Sequence, residues 1–97
     1  MFASSKLEDA QTLYGLSLFI INLYVNNQKA IEVNKQAIKI NPDDVDAHYN
    51  LGTVYRASGM YKEAIEAFKQ AIKIKPDYAE AHYYLGHAYG NLGMNEE

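Results

Sequence analysis

Three histidines are the most obvious side chains in this 97-residue chain for holding a metal ion or moving a proton near neutral pH. His48 and His82 stand 34 residues apart, and His87 follows His82 by five. If that offset is one structural repeat, packed-helix spacing puts the first two about 10 Å apart, too far for one zinc ion to bridge. His82 and His87 miss the i, i+4 spacing that would set them on one helical face. The histidines are therefore expected to pack, and no metal site is predicted. The paired acids Asp43-Asp44 and Glu96-Glu97 fall at a helix start and at the terminus, where capping and the helix dipole account for them. GxGxxG, GxxxxGK and HExxH patterns are absent. The lack of cysteine removes disulfides, thiolate zinc sites and a cysteine nucleophile, and leaves the redox compartment undecided. No catalytic residue and no cofactor are expected.

What positions these residues is a repeat. Residues 30–43 and 64–77 are identical at 11 of 14 positions, and residues 45–60 match residues 79–94 at 8 of 16, both at the same offset of 34. A fixed period of this length marks stacked supersecondary units. Apolar spacing predicts helices over about 6–25, 28–40, 45–57, 61–74 and 79–91, with residues 1–5 frayed. Pro42 and Pro76 end two of them, because proline lacks the amide donor and excludes the preceding residue from helical angles. Asp43 or Asp44 can cap the helix that begins at Val45. Ala47, His48, Leu51, Val54 and Tyr55 face inward on that helix. Ala64, Ile65, Phe68, Ala71 and Ile72 do so on the next. Gly52 is expected to let the paired helix approach, which offsets the cost of about 1 kcal/mol that glycine carries in a helix.

The residues carrying the period are His48-x2-Leu51-Gly52-x2-Tyr55, then Ala64-x3-Phe68, Ala71 and Pro76. They resemble the tetratricopeptide repeat (TPR) family almost position for position, with His48 where that family usually has Trp. The resemblance implies an all-α fold of antiparallel helix hairpins stacked as a short right-handed α-solenoid. It divides the chain into an N-terminal extension (1–10), a degenerate first unit (11–44), a second unit (45–78) and half of a third (79–97). The first unit departs most: residues 11–27 share no identity with residues 45–61, Ser17-Leu18 replaces Leu-Gly, and Asn34 sits where the pattern has Phe.

The resemblance also implies a non-enzymatic protein-interaction module holding a peptide or a partner's helix along a concave groove. Asp46, Tyr49, Asn50, Thr53 and Arg56 fall on one face of the second unit's first helix. Glu80, Tyr83, Tyr84, His87 and Asn91 repeat that face one unit on. Periodicity alone establishes a polar face, but tyrosines offer rigid apolar area with a hydroxyl, and Asn50 and Arg56 can bond a main chain or carboxylate. The chaperone-binding clamp of some TPR domains is absent. Asn50 matches its asparagine, but Gly15, Phe19, Glu80 and Tyr84 stand at its other positions.

Composition narrows the partners. Nine basic against twelve acidic residues, a net charge of −3, argue against nucleic-acid binding. Residues 13–25 are too short and too interrupted by Ser17 and Asn22 for a membrane span, so no membrane is expected and a cytoplasmic location is. The first helix carries two apolar stripes. Tyr14, Leu18, Ile21 and Val25 can pack on the following helix. Leu13, Leu16, Ile20 and Leu23, with Phe19 beside them, have no use in a soluble monomer, although each is worth roughly 1.5–3 kcal/mol when buried. Self-association into a dimer through this second stripe is expected. An exchanged dimer is the variant, since the turn at 25–27 lacks the glycine present at Gly59 and Gly93 and the first two helices could run on as one. Residues 1–7 folding back over the stripe is the alternative cover. A purely structural oligomerisation piece, or the accessory part of a larger enzyme, are the competing functions.

Overall fold

The computed structural model describes residues 2–93, with side chains from 13 onward except that of Tyr14. It contains four helices: α1 (Phe2–Ile40), α2 (Val45–Ala57), α3 (Tyr61–Ile74) and α4 (Ala79–Asn91). The second and third begin and end where the spacing predicts. Asp44 caps α2, its carboxylate accepting the Ala47 N–H at 3.1 Å. The terminal pair Glu96-Glu97 lies outside the described residues.

α2 and α3 form an antiparallel hairpin, α4 stacks on α3, and the C-terminal part of α1 stacks on α2. The core is small and centred on this hairpin: Ile31, Leu51, Tyr55, Ala64, Ile65, Phe68, Ala71, Ala81 and Ala88 are buried together. Phe68 is 0% exposed, and a Cβ built on Gly52 would lie 2.6 Å from its ring. The glycine in α2 thus makes room for an aromatic ring, as the repeat pattern requires.

The first unit corrects the reading of the sequence. The helix starts at Phe2 rather than near Lys6, and residues 25–27 make no turn, so the two expected helices run on as one of 39 residues, the continuity that the missing glycine allowed. At about 1.5 Å per residue such a rod is roughly 58 Å long, and it sets the 59 Å long dimension of the molecule. The reason lies in one residue. Gly59 and Gly93 close their turns at φ 76° and 78°, in the left-handed region that side chains, β-branched ones above all, avoid. The residue one repeat before Gly59 is Val25, and the chain there stays helical. Consequently Leu18, Ile21 and Val25 do not pack on the following segment, and all three are exposed. The fold-back of residues 1–7 is not made either, since residues 2–7 continue the same helix.

Candidate functional site

α2 and α4 lie side by side on one face of the stack and carry the predicted groove residues. Tyr49 of α2 meets Tyr84 of α4 at 6.3 Å between ring centroids. Arg56, two turns further along α2, places its guanidinium 4.6 Å from the Tyr84 ring centre, a cation–π contact. Tyr83 and His87 continue the aromatic surface along α4, 4.7 Å apart, with Tyr83 61% exposed. Tyr49, Arg56, Tyr84, Tyr83 and His87 therefore form one contiguous patch. The Arg56 Nε–H is shielded from solvent and has no acceptor among the described residues. A buried donor without a partner is costly, of order 1–3 kcal/mol.

The other predicted residues divide. Asn50, Asp46 and Glu80 are exposed on the same face. The Thr53 hydroxyl donates to the Asn50 carbonyl at 2.7 Å, and the Asn91 amide donates to the His87 carbonyl at 2.9 Å, so both donors are used within their own helices. Tyr78, which the sequence reading missed, adjoins this patch, stacking on Tyr49 at 4.9 Å. A signal existed: one repeat earlier the same position is the capping Asp44, and a tyrosine there cannot cap. Burial, then Tyr84 and Glu80, push the Tyr49 phenol above its ordinary range, against the opposing pull of Arg56. Burial, then Asp46, Tyr49 and Glu80, do the same to Tyr78. Both hydroxyls thus remain proton donors at neutral and mildly alkaline pH.

The histidines serve the joints between units. His48 Nε2 donates to the Pro42 carbonyl at 2.9 Å and His82 Nε2 to the Pro76 carbonyl at 2.7 Å, the same tie one repeat apart. His48 is buried, but His82, expected inward, is exposed, since no second helix of its unit stands beside it among the described residues. No group of three metal-binding side chains forms among those residues. A cleft of about 490 Å³ between α1 and α3, floored by Leu51, Tyr55 and Ala67 and rimmed by Lys35, Lys62, Glu63 and Glu66, was not anticipated from the sequence.

The TPR repeat family model matches residues 26–56 and 52–93. The chain is a member of the tetratricopeptide repeat family. Two crystal structures of MamA resemble this TPR chain. One has a TM-score of 0.70 and 39% identity over 71% of this chain and 40% of its own. The other has a TM-score of 0.69 and 40% identity over 70% and 37%. The TPR chain thus spans about two-fifths of either. No curated protein matches it. TPR repeats typically serve protein–protein interaction and are non-catalytic, and the all-α stack of helix hairpins is the TPR architecture. No helix among the described residues is long and apolar enough to cross a membrane.

Proposed function

We propose that this TPR chain is a non-catalytic module that binds a peptide or partner helix along the α2–α4 face and associates with itself through the first half of α1. The observation that carries the groove is the contiguous patch in which the Arg56 guanidinium lies 4.6 Å from the Tyr84 ring centre beside the exposed Tyr83 and His87. A peptide carbonyl or carboxylate can pair with the charged Arg56 guanidinium, while Tyr49, Tyr83 and His87 offer aromatic area and Asn50 a bidentate amide. Asp46, Thr53, Glu80 and Asn91 form the polar rim. Peptide-array screening is expected to find binders whose affinity falls about 10- to 30-fold with Tyr49→Ala or Arg56→Ala, the scale of an interface anchor. Binders unaffected by both substitutions would remove the groove.

Self-association is supported by the uncovered face of α1, where Leu13 (64%), Leu16, Phe19, Ile20 and Leu23 are all exposed within one chain. Such a face on a soluble protein needs a partner, and the simplest is the same helix of a second copy about a two-fold axis. Light scattering at micromolar concentration is expected to give at least twice the chain mass, halved by Leu16→Asp with Ile20→Asp. A wild-type chain of single mass would sink this reading. The same rod favours a structural reading, in which oligomerisation is the role and the groove is incidental. A stable oligomer with no array binder would select it. The span of two-fifths of the MamA chains leaves room for this unit to serve as the accessory part of a longer protein.

A further inference from the structure

We infer that copies of this chain stack end to end, α4 of one copy docking on residues 28–40 of the next copy's α1 in the way that α2 docks on α3. This interface is separate from the Leu13–Leu16–Ile20–Leu23 stripe and does not depend on it.

The molecule holds its own template for the joint. The contact between α2 and α3 is the most extensive between its helices, and the buried residues of α2 are Ala47, His48, Leu51, Gly52 and Tyr55. All five recur unchanged in α4 as Ala81, His82, Leu85, Gly86 and Tyr89. Four of them lack the cover their counterparts have: His82 and Gly86 are exposed, and Leu85 and Tyr89 are half-buried. A Cβ on Gly86 meets nothing within 4 Å, whereas one on Gly52 would strike the Phe68 ring. Among the described residues, α4 is thus the first helix of a hairpin with the side meant for the second helix bare.

The other half of the joint is bare at the opposite end of the stack. Residues 30–40 match residues 64–74 at 9 of 11 positions, with Ala30, Ile31 and Ala37 standing where α3 has the buried Ala64, Ile65 and Ala71. Ala67 is 6% exposed, but its counterpart Val33 is 67% exposed, because no described helix stands over residues 28–40 as α2 stands over α3. One copy therefore carries both halves of a single joint. It cannot bring them together itself, since α2 and α3 lie between them, but a second copy can.

The two departures in residues 28–40 are consistent with this docking. Phe68 stacks on Tyr84 at 6.2 Å, and the corresponding pair one repeat earlier is Asn34 and Asn50, so both sides of that contact change together from aromatic to amide. The α2–α3 register sets Gly86 on Asn34 of the next copy. It also brings the exposed Tyr83, counterpart of Tyr49, beside Asn50 of that copy, as Tyr49 lies beside Tyr84 within one chain. The polar and aromatic face of α2 and α4 then runs on from copy to copy. Because the two halves of the joint are different surfaces, the contact is heterologous and adds copies in a row, as units add within one repeat stack.

The chain has no cysteine, so Asn34→Cys and Gly86→Cys place one thiol on each half of the joint in the full chain. With a short thiol cross-linker, each variant alone is expected to give no link, because like positions in the row lie a whole copy apart. The two variants mixed are expected to give a covalent dimer, and the double variant a ladder of dimer, trimer and larger species on a denaturing gel. A link closed within one chain, no link in the mixture, or a double variant that stops at the dimer would each overturn the proposal. Val33→Asp changes an exposed site outside each copy's own core, and is expected to weaken the mixed link by about tenfold or more, the scale of an interface anchor, with helix content by circular dichroism unchanged. An undiminished link there would also overturn it. Leu16→Asp with Ile20→Asp is expected to leave the link in place. Its loss in that variant, at unchanged helix content, would assign the contact to the first half of α1 and overturn the stacking.

Discussion

Phe68→Ala is expected to remove about 3–5 kcal/mol from the unfolding free energy, the cost of truncating a fully buried aromatic side chain. The ring is 0% exposed, stands against Gly52, and lies 5.9 Å from the Tyr49 ring and 6.2 Å from that of Tyr84. It therefore joins α2, α3 and α4 at one point. In a repeat stack each unit is held mainly by its neighbours, so the loss reaches both the hairpin and the docking of α4. Domains of this size have about 5–15 kcal/mol in total. Urea titration followed by circular dichroism, at one fixed protein concentration, should show most of the cooperative transition lost. A change under about 1 kcal/mol would mean that the ring is not the keystone. The groove residues Tyr49 and Tyr84 pack on this ring, so a peptide bound by the wild type should be lost together with the fold.

The second expectation is a difference of sign at one repeat position. Gly52→Ala should destabilise by about 1–3 kcal/mol, the range for forcing an extra carbon into a packed site. The new Cβ would stand 2.6 Å from a fully buried ring. Gly86→Ala, one repeat later, should instead stabilise by about 0.8–1 kcal/mol, the helix-propensity gain alone, since a Cβ there meets nothing within 4 Å. Phe68→Leu combined with Gly52→Ala should cost less than the sum of the two single changes, which a double-mutant cycle measures. Equal effects at both glycines would mean that position-specific packing does not govern this fold.

The first unit shows why local reading went astray. Its apolar residues have a helical period on both sides of residues 25–27, and a period does not say whether two helical stretches are joined by a turn. The decisive signal was Val25 at the position of Gly59 and Gly93, a question of backbone angle rather than of hydrophobicity. Once the turn fails, Leu18 and Ile21 lose their intended contacts although their spacing is correct. The shared face of Tyr49, Arg56, Tyr83 and His87 was legible, because its direction follows from helix geometry. Tyr78 escaped because it lies just outside a helix, where no period points.

The amino-acid sequence by itself determined the repeat length, the helices of the second unit and the start of the third, the caps and breakers at Asp44, Pro42 and Pro76, and the Gly52–Phe68 match. All of these depend on interactions within about 34 residues, which the sequence displays directly. Only the tertiary structure decided that α1 is one rod, that Arg56 stacks on Tyr84 with its Nε–H unpaired among the described residues, and that Val33 and Leu18 lie bare. Val25 left the continuity of α1 open and the structure decided it, whereas the other outcomes depend on which surfaces lack a neighbour, and a missing neighbour leaves no mark on the local pattern of residues.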